Sequence, residues 1–504
     1  QGDVMREYKL FIGGEFVDAA SGETIDTPNP STGEPAGRVA VAGAEDVQRA
    51  VGAARKAADE GPWPTMKPQE RSRIMLDAFE KIFAASSDIS QIETEDAGHT
   101  VRMSNLFTVP YSNEFWKFLS DLGGRIPYTE KVEPYGFPTE AWEWVEREPY
   151  GVVGAIIPWN LPYMMAMWKI PPAVVTGNAI VVKPALETPL SALALAEIIA
   201  ETDIPPGVIN IVPGHGPTAG EALVTNPRVD KLSFTGSTEV GRRIMQLGSG
   251  TIKHVSLELG GKGPNILLDD ADLDIAIPGS LWATYMHQGQ FCTSGTRLFA
   301  PASLYDEVTA RLVELAESLT VGSAEDFSSD MGPVLNQTQF GTIDRYVQIG
   351  QDEGAKLLTG GSRITEGVPE GGYYYQPTIF GDVENSMVIA QEEIFGPVLS
   401  VIRYEAVEDA IRMANDTVYG LSGGVWSRDI PRALAVARRI KAGSVWINDW
   451  HLISPASPHG GYKQSGLGRE HGIWGLNQYL ETKYIRVAQE ATKDQKFWYQ
   501  VLGV

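Results

Sequence analysis

The sequence predicts an α/β protein of two domains, each built around a mostly parallel sheet. The chain has 504 residues, of which 43% are hydrophobic. A single hydrophobic core stops growing near about 250–300 residues, so at least two cores are expected. From about Tyr150 to Gly260, short β-rich runs alternate with helical patterns, which is typical of a doubly wound parallel sheet. The pattern restarts after Ala271 and indicates the second domain.

The individual elements follow from hydrophobic periodicity. In the first domain the predicted strands are Gly151–Ile157, Ala179–Lys183, Val208–Val212, Lys231–Phe234 and His254–Leu257, with helices at Ser191–Glu201 and Glu239–Leu247. In the second domain a helical stretch, Leu273–His287, leads to Cys292, and the predicted strands are Arg297–Ala300, Val398–Tyr404 and Ser444–Asn448. Gly360–Gly372 is polar and glycine-containing, as in a surface loop.

Charge and composition exclude several classes of protein. The 41 basic and 64 acidic side chains give a net charge of −23, which argues against broad binding to nucleic acid or to an anionic membrane. The apolar stretch Gly151–Val175 is broken by Asn160, Lys169 and four prolines, so it is not expected to span a membrane. The polar stretch Gln1–Leu10 lacks the apolar core of a secretory signal, and disulfide bonds cannot form within the chain, so a cytoplasmic location is expected.

Cys292 is the single cysteine, in the string Gly289-Gln290-Phe291-Cys292-Thr293-Ser294. One sulfur forms neither an internal disulfide nor, alone, a thiolate metal site, which leaves two interpretations. It is a nucleophile, or it is a small buried hydrophobic residue, as most free cysteines are.

A second motif follows the strand Lys231–Phe234. Gly236 and Ser237 stand where the strand gives way to a helix, and a helix N-terminus offers free N–H groups to a phosphate. The string is not the G-x-G-x-x-G fingerprint, and an ordinary glycine turn explains it equally well when it is considered alone.

Seven motifs in a fixed order decide between these interpretations. They are Pro158-Trp159-Asn160, Lys183-Pro184, Phe234-Thr235-Gly236-Ser237, Leu257-Glu258-Leu259-Gly260-Gly261-Lys262, Gly289–Cys292, Glu392-Glu393-Ile394-Phe395-Gly396-Pro397 and Gly460-Gly461-Tyr462-Lys463-Gln464-Ser465-Gly466. Together they resemble the NAD(P)-dependent aldehyde dehydrogenase superfamily, from about Tyr8 to Lys483. Because it has Glu258, the chain resembles the branch of the superfamily that hydrolyses the acyl group rather than the branch that passes it to coenzyme A.

The resemblance implies an aldehyde oxidation with four catalytic residues. Cys292 would attack the aldehyde carbon, and Asn160 with the Cys292 N–H would hold the developing oxyanion. Glu258 would activate the water that hydrolyses the thioester. Glu470 matches a second family glutamate implicated in proton relay. No metal is implied.

The same resemblance implies a site for NAD. Its expected residues are Ile156, Pro158, Trp159, Lys183, Leu186, Gly236, Ser237, Leu259, Glu393 and Phe395. Many NAD-using members carry a glutamate where this chain has Leu186, with Glu187 one place later, so the usual barrier to NADP is missing. NAD is still predicted, because no Arg or Lys stands next to Leu186 to pair with a 2′-phosphate; NADP remains a second candidate.

The expected substrate pocket is mostly apolar and indicates a medium-to-large apolar or aromatic aldehyde. Its residues, matched by motif, are Leu161, Met164, Met165, Trp168, Met286, Phe291, Thr293, Trp450 and His459. At His459 many relatives have phenylalanine. A betaine-type small aldehyde or broad specificity is the alternative.

The resemblance also implies a domain division and a homodimer or homotetramer. The dinucleotide-binding domain is expected at 1–123 and 148–258, and the catalytic domain at 259–470. An oligomerisation arm at 124–147 joins the C-terminal part, 471–504, whose end after Glu490 is apolar and is interpreted as either disordered or docked on a neighbouring subunit.

Two other function classes remain at this point. A cysteine hydrolase would need a histidine base, and the nearest histidine, His287, lies in no supporting motif. A catalytically silent relative would be expected to have lost Cys292 or Glu258, and both are present.

Overall fold

A computed structural model describes residues 5–503 of the chain. The first four residues of the predicted first domain and the last residue of the predicted tail lie outside this range. Within it, an eight-stranded sheet and a seven-stranded sheet form the two halves of the molecule, and two three-stranded sheets accompany them. The α/β class with two main sheets is confirmed.

The eight-stranded sheet is parallel at its centre and antiparallel at its edges. Its strands, in spatial order, are Gly466–Leu467, His254–Glu258, Lys231–Thr235, Val152–Ile156, Ala179–Lys183, Ile209–Ile211, Leu10–Ile12 and Glu15–Val17. The helices of eight or more residues in this half are Ala44–Asp59, Pro68–Ala84, Ser86–Ala97, Val109–Gly123, Pro162–Val175, Leu190–Ala200 and Thr238–Gly248. The chain returns to this sheet at Gly466–Leu467, a position inside the range predicted for the second domain.

The seven-stranded sheet is parallel except at one edge strand. In spatial order its strands are Lys356–Thr359, Thr378–Gly381, Val398–Tyr404, Arg297–Pro301, Pro264–Leu267, Ser422–Trp426 and Ser444–Ile447. Its longer helices are Leu273–Tyr285, Tyr305–Ser318, Gln337–Asp352, Val407–Asn415 and Ile430–Ala437. Separate apolar clusters cover the two faces of this sheet, as a fully buried parallel sheet requires.

The remaining two sheets are small. Arg6–Tyr8, Pro35–Ala40 and Thr24–Pro28 form one, and Leu480–Ala488, Ala141–Pro149 and Thr129–Lys131 form the other. The second brings the predicted arm together with the C-terminal strand through nine antiparallel residue pairs. After that strand, the tail contains a short helix, Phe497–Leu502, whose apolar side chains are exposed.

The predicted helix Leu273–His287 is two residues too long. The helix ends at Tyr285, and the next residues form a tight turn in which φ is positive at His287, Gln288 and Gly289. A side chain at Gly289 would place its Cβ 2.1 Å from the Gly396 carbonyl oxygen. The chain leaves the helix sharply through this turn, and Cys292 then packs against the apolar core around the eight-stranded sheet.

None of the helices within residues 5–503 has the length and apolar content needed to cross a membrane.

Candidate active site

The site lies at a topological switch point of the eight-stranded sheet. From Val152–Ile156 the chain moves to Ala179–Lys183 on one side, while Lys231–Thr235 pairs on the other side. In such sheets, ligands bind beyond the carboxyl ends of the two strands where the order reverses. Pro158-Trp159-Asn160 and Gly236-Ser237 follow those two ends, so the fold itself places both motifs at one crevice.

One cavity of about 240 Å³ is lined by three of the four predicted catalytic residues and by seven of the ten predicted cofactor residues. The predicted residues that do not line it are Glu470, Ile156, Lys183 and Leu186. It brings together side chains from both halves of the molecule. Its lining includes Cys292, Asn160, Glu258, Pro158, Trp159, Leu161, Met165, Gly236, Ser237, Leu259, Glu393 and Phe395. These residues are separated by up to 237 positions in the chain (395 minus 158), so only tertiary folding assembles them.

Cys292 is half-buried, in the loop between the tight turn and the strand Arg297–Pro301. Burial raises the pKa of its thiol well above the usual range, and the carboxyl groups of Glu393 and Glu258 raise it further. The backbone N–H groups of Cys292 and Thr293 oppose this effect. The thiol is therefore protonated at rest, and its proton must leave for the sulfur to act as a nucleophile.

Asn160 stands at the start of the helix Pro162–Val175 and is buried. Its side-chain Nδ2 donates a hydrogen bond of 2.9 Å to the carbonyl of Gln290, two residues before Cys292. An amide NH₂ group has two hydrogens, so the second one remains for another acceptor in the cavity, which Asn160 lines together with Cys292.

Glu258 ends the strand His254–Glu258 and is buried, with its Oε2 lacking a hydrogen-bond partner. Burial raises its pKa well above the usual value, and the carboxyl group of Glu470 raises it further. Glu470 does not line the cavity; its carboxylate contacts the ammonium group of Lys169, and both are buried. A carboxyl group with a raised pKa beside an open cavity has the properties of a general base.

The far end of the cavity suits a dinucleotide. Ser237 caps the helix Thr238–Gly248 by accepting a hydrogen bond from Val240 N, and free N–H groups remain in the first turn. The Gly236 N–H itself donates to the Glu258 carbonyl at 3.1 Å, so it is not available to a phosphate. Trp159 and Phe395 both line the cavity and meet edge to face at 5.3 Å, which gives this end an aromatic lining.

One carboxyl group, that of Glu393, lines this end of the cavity, and the ammonium group of Lys183 lies outside the lining. Glu393 accepts a hydrogen bond of 3.0 Å from the Gly261 N–H, and burial raises its pKa to about 7. A Cβ at Gly260 would lie 2.3 Å from the Glu393 carboxylate, so the glycine makes room for it. The ammonium group of Lys183 donates to the carbonyls of Pro184 and Gly214, both at 2.8 Å, and burial lowers its pKa to about 8. Leu186 is buried beside them, whereas Glu187 is exposed.

Comparisons with known proteins agree with this geometry. The profile of the aldehyde dehydrogenase family matches residues 16–485. The chain belongs to the aldehyde dehydrogenase family. It is therefore an aldehyde dehydrogenase, an oxidoreductase that acts on an aldehyde.

Individual relatives are similar over nearly their whole length. A protein named putative aldehyde dehydrogenase DhaS, of Bacillus subtilis, is 46% identical over 96% of this chain and 96% of its own. The structure of a Bacillus cereus aldehyde dehydrogenase in complex with NAD⁺ is 40% identical, with a TM-score of 0.93, over 96% of this chain and 97% of that one. The structure of a Staphylococcus aureus betaine aldehyde dehydrogenase in complex with NAD⁺ is 36% identical, with a TM-score of 0.94, over 96% of this chain and 95% of that one.

The residues predicted for the substrate pocket of this aldehyde dehydrogenase lie in different places. Leu161 and Met165 line the cavity with Cys292, while Met286 lines a second, apolar cavity of about 480 Å³. The others line neither cavity: Met164, Trp168, Phe291, Thr293, Trp450 and His459. Trp450 is fully buried behind the cysteine loop and donates to the Thr293 carbonyl at 2.8 Å.

Several polar residues close to the site were not predicted from the sequence. They are Glu93, His99, Lys169, Gln339, His451 and His471. Gln339 lines the cavity of the dehydrogenase and donates to the Phe395 carbonyl at 2.6 Å. One signal was available, because the chain has only seven histidines. Five of them, His99, His287, His451, His459 and His471, are buried around the site.

Within residues 5–503 there is no group of three or more His, Cys, Asp or Glu side chains that could hold a metal ion.

Proposed function

We propose that this enzyme oxidises its aldehyde to the carboxylic acid with NAD, through a thioester on Cys292 that Glu258-activated water hydrolyses. The observation that carries the proposal is the shared cavity, which brings a thiol, an amide donor, a buried carboxyl group and a helix N-terminus together. A nucleophile, an oxyanion donor and a base in one cavity are the parts required for acyl chemistry.

The first step forms a bond from the Cys292 sulfur to the aldehyde carbon. The thiol proton passes to solvent water, which reaches the half-buried sulfur, and the carbonyl π electrons move onto the oxygen, which becomes negatively charged. The second hydrogen of the Asn160 amide and the Cys292 N–H stabilise that charge. Because both donors are fixed before the reaction, little reorganisation is needed when the charge appears.

NAD, when bound, supplies the hydride acceptor that converts the adduct on Cys292 into a thioester. The first turn of the helix Thr238–Gly248 and Ser237 would hold its phosphates, Glu393 and Lys183 its ribose hydroxyls, and Trp159 and Phe395 would shape the ring site.

The second half of the reaction is hydrolysis. Glu258, as a carboxylate, takes a proton from water while the hydroxide adds to the thioester carbon. The carbon–sulfur bond then breaks, and the sulfur leaves with the electron pair. The buried pair of Lys169 and Glu470 lies behind Glu258, where it can carry the proton away from the site.

We expect NAD to be preferred over NADP. Leu186 removes the usual acidic barrier to a 2′-phosphate, yet no basic residue stands next to it to form a charge-assisted hydrogen bond. A 2′-phosphate would therefore lose its water without gaining a partner, which costs about 1–3 kcal/mol or more for a charged group, so kcat/KM should be at least about tenfold higher with NAD. Steady-state rates with both cofactors measure this ratio, and a ratio in favour of NADP would overturn the assignment.

We propose the second cavity as the outer part of the substrate path, and its lining supports the proposed substrate class. It is lined mainly by apolar and aromatic side chains, including Met103, Leu106, Phe107, Leu281, Trp282 and Met286. A volume of about 480 Å³ accommodates a medium-to-large apolar or aromatic aldehyde.

A panel of aldehydes tests this substrate class. Each buried methylene contributes about 0.8 kcal/mol, so hexanal and benzaldehyde should exceed acetaldehyde in kcat/KM by at least about tenfold. Betaine aldehyde, which is small and charged, serves as the comparison compound because a similar enzyme is a betaine aldehyde dehydrogenase. If acetaldehyde or betaine aldehyde were the best substrate, the cavity would not be the substrate path.

We also propose a homodimer or homotetramer assembled through the three-stranded arm. Its strand Leu480–Ala488 forms one edge of the sheet, and Trp142 and Tyr484 are exposed on the two paired strands. An edge strand with exposed aromatic side chains is suited to pairing with another chain.

A further inference from the structure

A buried chain of polar groups lies behind Asn160, on the side away from the cavity. The ring nitrogen Nε2 of His99 is 2.8 Å from the Asn160 carbonyl oxygen. The other ring nitrogen, Nδ1, is 3.4 Å from the carboxyl oxygen Oε2 of Glu93. Both side chains are completely buried, and neither lines the cavity that contains Cys292.

The positions of the hydrogens follow from the partners. A carbonyl oxygen only accepts, so His99 Nε2 must carry the hydrogen and donate it. Burial lowers the pKa of His99 to about 4, so the ring is neutral at pH 7 and Nδ1 has a free lone pair. Burial raises the pKa of Glu93 to about 7, so its carboxyl group carries a proton in a large share of the molecules at neutral pH. Nδ1, 3.4 Å away and without a hydrogen-bond partner of its own, is the nearest acceptor for that proton.

Other polar and titratable side chains surround the pair of His99 and Glu93. The His287 ring meets the His99 ring edge to face at 4.2 Å, and burial lowers the pKa of His287 well below its usual value. Ser191 and the Tyr163 N–H face the Glu93 carboxyl group, and the nearby Asp96 also has a raised pKa because of burial. Burial is the largest effect on both members and favours their neutral forms, while the hydrogen bonds from Ser191 and Tyr163 to Glu93 oppose it.

Asn160 is consequently held at two points. Its backbone carbonyl accepts from His99, and its side-chain amide donates to the Gln290 carbonyl at 2.9 Å. An oxyanion donor is effective only when its nitrogen lies about 2.7–3.1 Å from the oxyanion. A displacement of 1 Å can cost about 10²-fold in rate. A contact that fixes the Asn160 backbone therefore also controls the position and direction of its side-chain amide.

Burying a carboxyl group and an imidazole costs free energy that two apolar side chains would avoid. What these two groups add, and apolar residues could not, is one directed N–H at the Asn160 carbonyl. We propose that His99, oriented by Glu93, is a positioning residue that fixes Asn160 for oxyanion stabilisation. The inference rests on the proposed role of Asn160 in the function above.

A double-mutant cycle separates positioning from a structural role. The probe is p-nitrophenyl acetate, because attack of Cys292 on its carbonyl gives the same tetrahedral oxyanion, expels p-nitrophenolate and needs no NAD. The burst rate of p-nitrophenolate measures acylation in the wild type, His99→Leu, Asn160→Ala and the double variant. We expect Asn160→Ala to lower the rate by about 10²-fold and His99→Leu by about tenfold.

The decisive comparison is His99→Leu in the Asn160→Ala background. If His99 acts through the Asn160 amide, the second substitution should lower the rate no further once that amide is gone. An equal loss in both backgrounds would show a merely structural role and overturn the inference. So would a wild-type rate in His99→Leu. A wild-type rate in Asn160→Ala would instead refute the proposed oxyanion role, so the two failures are distinguishable.

Conservative variants keep the test valid if His99→Leu fails to fold. The side-chain amide of His99→Gln offers an N–H near the Nε2 position, and Glu93→Gln offers an N–H in place of the carboxylic acid. Both should retain most of the burst rate, whereas Glu93→Leu should lose about as much as His99→Leu. Loss of the burst in Glu93→Gln, in protein whose thermal unfolding matches the wild type, would contradict the donor assigned to Glu93.

Discussion

Replacement of Cys292 by alanine is expected to lower kcat for aldehyde oxidation by at least about 10⁴-fold, which is the scale of losing a covalent nucleophile. No other cysteine exists to take its place. The measurement is NADH formation at 340 nm, an absorbance typical of the reduced nicotinamide, with hexanal or benzaldehyde as substrate.

The matched control is Cys292→Ser, which keeps the size and a hydrogen-bonding atom but not the acidity of a thiol. Both variants should bind NAD with nearly the wild-type Kd, because the cofactor contacts come from other residues of the cavity. Quenching of tryptophan fluorescence can report that binding, since Trp159 lines the cavity. A Cys292→Ala enzyme that retains a substantial part of the wild-type rate would contradict covalent catalysis.

Glu258→Gln has the second-largest expected effect, and it should act on hydrolysis. Glutamine has nearly the same shape but cannot accept a proton from water, and a general base contributes about 10²–10⁴-fold. Rapid mixing should therefore show a burst of about one NADH per site followed by a steady state slower by that factor.

The pH dependence provides a separate check on Glu258. The base form of Glu258 is the carboxylate, and burial with Glu470 nearby raises its pKa. The steady-state rate of the wild type should therefore increase as the pH rises from acid into the neutral or alkaline range. In Glu258→Gln the part of this increase that comes from the carboxyl group should be lost. Glu470→Gln is the comparison variant, and because Glu470 does not line the cavity its effect should be smaller, about tenfold.

Most of the fold could be predicted from local patterns. The strands Ala179–Lys183 and Val398–Tyr404 have the bounds that periodicity predicts, because continuous apolar runs between turn residues fit a buried parallel sheet. The end of the helix before Cys292 could not be predicted this way. Three consecutive positive φ angles there depend on close contacts such as Gly289 with Gly396, which are distant in the chain.

The candidate site likewise contains residues that the sequence predicts and residues that only the fold brings in. Motifs identify Cys292, Glu258 and Asn160 as candidates, and the structure places all three around one cavity; their roles stay predictions. The groups behind them come from distant segments: His99 contacts Asn160 across 61 positions, and Lys169 contacts Glu470 across 301. A single sequence contains no local signal for such pairs. For Trp450, nothing in its motif shows whether the side chain points to the cavity or behind the loop.

Mass spectrometry of Glu258→Gln tests the central claim most directly. The variant is mixed with benzaldehyde and NAD, quenched in acid within the burst, and analysed first intact and then as peptides. We predict a mass increase of one benzoyl group replacing one hydrogen, located on the peptide that contains Cys292 and absent when NAD is omitted. A full burst of NADH with an unmodified Cys292, or with the acyl group on another residue, would contradict the thioester mechanism.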